Sequence, residues 1–170
     1  MKLLTYKLPG EKKERLGVMS ANEFEKFFPL EELGLQFQDM NDLIARISPE
    51  EKELMKKASC GLKGKTLNYR DVVHCAPIPH PRQDIICLGL NFMDHAKESS
   101  RYKKESFQGE RTYAVYFSKR VNEATGDGGT IPSYQGLVDS LDYEAELGVI
   151  LKKDAFQVKR EEAFDYVFGY

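Results

Sequence analysis

The chain has 170 residues, 41% of them hydrophobic, which is enough apolar material for one core or two small dependent layers. Its formal net charge of -2 excludes a general electrostatic attraction to nucleic acid or an anionic membrane, so we expect neither partner. The longest apolar run, around residues 85–88, is far shorter than the roughly 18 residues of a membrane span, and residues 1–8 lack the layout of a signal peptide. We therefore expect a globular, cytoplasmic protein.

The amino terminus has the pattern of a β-hairpin. Apolar residues at 3–6 and 16–19 flank a charged segment at 9–13 that begins with Pro-Gly. Two short strands around a polar turn produce this pattern.

Two short helices are predicted next, at residues 40–47 and 48–55. In the second, Ser48 is a natural N-cap and Pro49 suits the first helical position. Glu51 stands three residues after Ser48, where a capping box requires an acidic side chain.

A domain boundary is predicted within residues 74–82, because the three prolines there remove backbone donors and restrict helical geometry. We assign residues 1–76 to an amino-terminal domain and residues 77–170 to a second domain. The second begins with an apolar run at 85–90, typical of a buried strand, and a capped helical turn at 91–98.

Further strands are predicted at residues 113–117 and 141–151, with a glycine-rich loop at 125–130 between them. This loop is interpreted as a turn rather than a phosphate cradle, because no Gly-Lys-Ser/Thr sequence follows it. The three cysteines form neither a disulfide framework nor a zinc motif, and their apolar neighbours predict buried thiols: Cys60, Cys75 and Cys87.

One candidate catalytic pair is His95 and Glu98. Their three-residue spacing on a helix places both side chains on one face, where the carboxylate would orient the imidazole as a general base. A surface histidine and glutamate at this spacing would look the same, so the spacing alone leaves both interpretations open. His74 and His80 belong to the proline-rich segment, where no helix is predicted, so no such pair is assigned to them.

A second candidate is the alternation of acidic and apolar residues from 141 to 150. On a strand, period two would send Asp142, Glu144 and Glu146 to one face. Such hard oxygen donors suit Mg²⁺, Mn²⁺ or Ca²⁺ rather than zinc. The alternative is the solvated acidic face of an ordinary edge strand.

Motifs in a fixed order resemble the fumarylacetoacetate hydrolase family: residues 76–98, the Phe-x-Lys strand at 117–119, the acidic strand at 141–146, and the helix-to-strand step at 164–170. The resemblance implies an α+β fold. A small amino-terminal domain of β-hairpin and helices would precede part of the family's β-rich mixed-sheet roll. Residues before Pro77 resemble the family's amino-terminal domain only loosely.

The resemblance implies that Glu144 and Glu146 bind Mg²⁺ (or Mn²⁺ or Ca²⁺), with Asp142 supporting them. It also implies that His95 and Glu98 activate water. In the family, a third acidic ligand follows the Gly-Tyr pair that ends this sequence. We therefore expect an incomplete metal shell in this chain.

The resemblance also places Lys119 near the substrate, as a catalytic and binding residue, whereas Asn91 is a substrate contact or a packing residue. It implies a homodimer that hydrolyses a carbon-carbon bond in a 1,3-diketo or 2-oxo acid, of the acylpyruvate or fumarylpyruvate type. The alternatives are a decarboxylase or isomerase of a related diacid, or a catalytically silent module that needs a partner chain.

Overall fold

The structure is a computed structural model that describes residues 1–61, 64–89, 91–94, 97 and 113–170. They form two compact units, one of Met1–Pro79 with Ala124–Tyr170 and one of His80–Glu123. Strands and helices are both present, which confirms the α+β class. The predicted domain boundary near residue 77 stays a prediction.

The strands and helices of the described residues follow one another along the chain with short connections at the amino-terminal end. In order they are β1 (Leu3–Lys7), β2 (Arg15–Met19), β3 (Lys26–Pro29), a 3-10 helix (Leu30–Leu33), α1 (Met40–Arg46), α2 (Pro49–Ser59), β4 (Leu67–Asn68), a 3-10 turn (Tyr69–Asp71), β5 (Val73–His74), β6 (Ile85–Gly89), β7 (Val115–Lys119), β8 (Ile150–Leu151), a 3-10 helix (Arg160–Tyr166) and β9 (Val167–Gly169).

The first unit is built on a curled antiparallel sheet with strand order β4-β3-β2-β1-β5. Strands β1 and β2 pair with Leu3 opposite Val18 and Thr5 opposite Leu16, which confirms the predicted hairpin. Gly10 lies in the connecting segment with φ of 79°, a left-handed backbone conformation that glycine adopts without steric cost.

Apolar side chains are buried on both faces of this sheet. The larger cluster lies between the sheet and the helices, and Ile78 and Phe168 pack against it. Its buried members are Leu16, Val18, Phe28, Leu30, Leu35, Met40, Leu43, Met55 and Ala58. A smaller cluster on the other face consists of Leu4, Tyr6 and Phe27. Each fully buried large apolar side chain stabilises the fold by about 1.5–3 kcal/mol.

The predicted capping box at the start of α2 is confirmed. The Glu51 amide donates to Ser48 Oγ at 3.1 Å, and the Ser48 amide donates to the Glu51 carboxylate at 2.9 Å. The helix continues to Ser59, beyond the predicted end at residue 55, because Met55 and Ala58 are both buried in the core. The pattern of residues 48–55 did not include this last turn.

The second unit contains an antiparallel pair, β6 and β7, with Ile85 opposite Lys119 and Gly89 opposite Val115. Strand β6 confirms a strand at residues 85–89, but the prediction that it is buried is wrong: Ile86 is 69% exposed and Leu88 39%. Within the described part of this unit, the sheet consists of these two strands alone.

The remaining predicted elements are only partly formed. Strand β7 begins two residues later than predicted, and the described residues Met93, Asp94 and Lys97 are helical, as expected for the turn at 91–98. The glycine-rich loop at residues 125–130 contains no strand or helix.

The prediction that the cysteine thiols are buried is wrong for Cys60, which is exposed. Cys75 and Cys87 are half-buried. Within the described ranges, no helix has the length and apolar character needed to cross a membrane.

Candidate functional site

The acidic candidates Glu144 and Glu146 lie in an exposed segment, residues 141–149, that forms no strand. The predicted strand at 141–151 is therefore wrong except at Ile150 and Leu151, which pair with β9. Period two needs a hydrogen-bonded ladder to hold side chains on alternate faces, and residues 141–149 pair with none of the described strands. The sheet geometry that would align three carboxylates is not formed.

Asp142 uses its carboxylate locally. Its Oδ1 accepts a hydrogen bond from the amide of Tyr143 at 2.9 Å, a short-range contact typical of turns and irregular segments. The role of Asp142 as a supporting residue stays a prediction.

The two glutamates supply hard oxygen donors of the kind that Mg²⁺ and Mn²⁺ prefer. Both side chains are exposed to solvent. Among the residues that the structure describes, no cluster of three or more His, Cys, Asp or Glu side chains is arranged to hold a metal. The donor chemistry thus fits a hard divalent cation, and Glu144 and Glu146 would provide two of its ligands.

Lys119 and Asn91 belong to the other unit. Lys119 ends β7, and its Nζ lies 5.9 Å from the centre of the Phe117 ring, because residues two apart on a strand share a face. Asn91 is exposed and lies shortly after β6. The candidate pair His95 and Glu98 lies outside the described residues, so its geometry stays a prediction.

Sequence reasoning missed a polar cluster in the first unit. His74 Nδ1 lies 3.6 Å from the Asp127 carboxylate, and the Tyr69 hydroxyl donates to the same carboxylate oxygen at 3.3 Å. The rings of Tyr69 and His74 stack with centres 3.8 Å apart. Burial, and then the negative charge and hydrogen bond of Asp127, raise the pKa of Tyr69. His74 thus has a carboxylate partner, which local sequence could not show because Asp127 is distant in the chain.

Comparison with known proteins identifies the family. Residues 84–170 match the family described as Fumarylacetoacetate (FAA) hydrolase C-terminal. The chain is 35% identical over 118 residues to the oxaloacetate tautomerase YisK of Bacillus subtilis. The alignment covers 69% of this chain and 38% of that protein. It is 34% identical over 104 residues to an uncharacterized protein of Staphylococcus aureus strain USA300, covering 61% of this chain and 32% of that protein.

The chain therefore belongs to the fumarylacetoacetate hydrolase family, which confirms the resemblance seen in its motifs. It spans between about a third and two fifths of the length of these two relatives.

Proposed function

We propose that this chain belongs to a metal-dependent enzyme that interconverts the keto and enol forms of a 2-oxo diacid such as oxaloacetate. The observation that carries the proposal is the 35% identity to a protein named as an oxaloacetate tautomerase. The proposal adopts the isomerase alternative that the motifs left open. The proposal concerns the whole enzyme. The segment that aligns with this chain makes up 38% of that relative.

The exposed carboxylates of Glu144 and Glu146 would hold the divalent cation. A divalent cation supplies Lewis-acid polarisation of the 2-oxo group when it is bound. Lys119, an exposed cation at the end of β7, would bind a substrate carboxylate as a point charge, and the Asn91 amide would donate a hydrogen bond to a substrate oxygen.

Tautomerisation moves one proton from the carbon beside the carbonyl to the carbonyl oxygen. A histidine can take and return such a proton near neutral pH. We assign this transfer to His95, with Glu98 as the carboxylate that orients its ring, because residues three apart on a helix lie on the same face.

Hydrolysis of a carbon-carbon bond is the second candidate. The same pair, His95 and Glu98, would take a proton from water, and the resulting hydroxide would attack a carbonyl of an acylpyruvate. The spacing of this pair and the family membership are compatible with both hydrolysis and tautomerisation. A decarboxylase would use the same polarised 2-oxo group without an attacking water.

Proton NMR of the reaction products distinguishes these reactions. The 170-residue chain would be incubated with Mg²⁺ and either oxaloacetate or an acylpyruvate. Faster exchange between keto and enol forms of oxaloacetate supports the proposal. Release of pyruvate and carbon dioxide identifies a decarboxylase, and formation of two acids from the acylpyruvate identifies a hydrolase.

Three variants test whether the assigned residues carry the reaction. We expect Glu144→Gln/Glu146→Gln to abolish the exchange and His95→Gln to lower its rate by about 100-fold or more. A matched control, Glu161→Gln/Glu162→Gln, removes the same charge from an exposed 3-10 helix and should retain the activity. Activity that survives in the first double variant, or an equal loss of activity in the control, would contradict the proposal.

We also propose that the protein forms a homodimer. Ile86, Leu88 and Tyr116 lie on one face of the β6–β7 pair and are exposed, and exposed apolar surface of this kind favours association. Light scattering should then give twice the chain mass of 19.5 kDa, and a monomer at the highest soluble concentration would contradict it.

A further inference from the structure

We propose that His74, Asp127 and Tyr69 form a proton-dependent latch that fastens the glycine-rich loop to the edge of the amino-terminal sheet. The latch is defined by these three side chains, and the loop by residues 125–130. All of them lie in the first unit. The inference is independent of the proposed function.

The loop approaches the sheet edge through its backbone. A Cβ atom at Gly126 would lie 2.2 Å from the carbonyl oxygen of His74, a distance that no side chain can accept. Just before the loop, the Ala124 amide donates to the carbonyl of Pro79 at 2.8 Å. Glycine at position 126 therefore permits a close contact that brings the next residue, Asp127, to His74.

His74 has acceptors at both ring nitrogens. Nε2 lies 2.6 Å from the carbonyl oxygen of Tyr69, and Nδ1 lies 3.6 Å from the Asp127 carboxylate. A neutral imidazole has one N–H, whereas the imidazolium has two and carries a positive charge. Only the protonated ring can donate to the carbonyl and also attract Asp127 as a cation.

Tyr69 supports the same protonation state. Its ring stacks on His74 with centres 3.8 Å apart and planes 21° apart, an arrangement that favours a cation over an aromatic face. Its hydroxyl donates to the Asp127 carboxylate at 3.3 Å and so holds that group beside the histidine. A hydrogen bond from Tyr69 also keeps Asp127 in position when His74 is neutral, so the latch weakens rather than vanishes.

The other ionisable groups on the neighbouring elements do not replace Asp127 as the partner of His74. On β1, Tyr6 is opposite His74 and is buried, while Lys7 is opposite Val73 and pairs with Glu14 at 3.5 Å. On the 3-10 turn before β5, Arg70 is held by Glu25, and Asp71 adds a further negative charge. The cations on these elements, Lys7 and Arg70, thus each already have a carboxylate partner.

The direction of the pH effect follows from these contacts. Histidine changes charge between about pH 5 and 8, so the latch is closed at the acidic end of this range and weakens as the pH rises. In the loop and its preceding residue, Ala124 and Gly126 are half-buried and the others are exposed. With so little burial, an ion pair of modest strength can change how often the loop opens.

Hydrogen–deuterium exchange of the full chain, read by mass spectrometry, tests the latch. After correction for intrinsic exchange, amides of residues 125–130 should exchange about two- to fivefold more slowly at about pH 5.5 than at about pH 8. A factor of this size is what the loss of an exposed ion pair should produce. Asp127→Asn and His74→Gln should both remove the difference.

His80→Gln is the matched control, because His80 Nδ1 contacts the carbonyl of Asn122 in the other unit and has no part in the latch. In this variant, the amides of residues 125–130 should keep the difference in exchange rate between the two pH values that the wild type has. Protection of the β1 amides from exchange reports whether each variant folds. If His74→Gln loses this protection, the test of the latch rests on Asp127→Asn alone. A pH difference that persists in Asp127→Asn, or that is absent in the wild type, would overturn the inference.

Discussion

Gly17 on β2 lies directly against the ring of Phe27 on β3: a Cβ atom at position 17 would be 2.7 Å from Phe27 Cδ2 and 2.9 Å from Leu4 Cδ2. Phe27 is completely buried, so its ring has no space into which it can move. The smaller apolar cluster therefore requires glycine at position 17.

We expect Gly17→Ala to lower the free energy of unfolding by about 1–3 kcal/mol, the usual cost of overpacking a buried site. Urea denaturation followed by circular dichroism measures it. Gly169→Ala is the control, because nothing lies within 4 Å of a Cβ there. Equal stabilities of the two variants would show that the cluster can expand to accept the methyl group.

Loss of the capping box should destabilise α2. Ser48→Ala removes the acceptor for the Glu51 amide, and we expect a loss of about 1 kcal/mol in the free energy of unfolding. The exposed Ser133 provides the control, Ser133→Ala, which should change the stability by less than about 0.5 kcal/mol. If both variants have the same urea midpoint, the cap does not limit the stability of this unit.

Stability at high pH should depend on Tyr6. Burial, and then the negative charge of Glu31, raise the pKa of Tyr6 from 10.0 to about 12. The unfolded chain therefore ionises first: the contribution of Tyr6 is fully present below about pH 10 and is lost as the pH rises towards about 12. The loss should be about 1–3 kcal/mol.

The measurement compares urea midpoints of the wild type and Tyr6→Phe between about pH 9 and pH 11.5. Phenylalanine cannot ionise, so the variant should lose less stability over this range. The titration of lysines affects both proteins equally. Parallel curves for the two proteins would exclude Tyr6 as the cause.

Sequence alone predicted the elements whose determinants are local. The hairpin of β1 and β2 follows from two apolar runs around Pro9-Gly10, and α2 follows from Ser48, Pro49 and Glu51, which are close together in the chain. Local hydrogen bonds and caps are determined by neighbouring residues, and the structure reproduces them.

The errors arose where distant parts of the chain decide the outcome. The alternation of residues 141–149 has the period of a strand, but a strand also needs a partner, and the described residues provide one only for Ile150 and Leu151. Likewise, the contact between His74 and Asp127 depends on the docking of a loop far along the chain. Motif resemblance, rather than periodicity, singled out Glu144 and Glu146 among the acids.

Substitution of the two glutamates should leave the fold intact. Both side chains are exposed in a segment without strand or helix, so Glu144→Gln/Glu146→Gln is expected to change the free energy of unfolding by less than about 0.5 kcal/mol. Urea denaturation in the absence of metal checks this. A larger loss would mean that the carboxylates have a structural role, and activity losses in this variant would then need a separate explanation.

The central claim, that Glu144 and Glu146 hold a divalent cation for a 2-oxo acid, is tested most directly by calorimetric titration of Mn²⁺ into the 170-residue chain. The titration would be repeated with oxalate, a dianion that resembles an enolised 2-oxo acid, and with the control Glu161→Gln/Glu162→Gln. We predict Mn²⁺ binding that oxalate strengthens, that the control retains and that Glu144→Gln/Glu146→Gln abolishes. Equal binding by the two double variants, or no binding by the wild type with oxalate present, would contradict the claim.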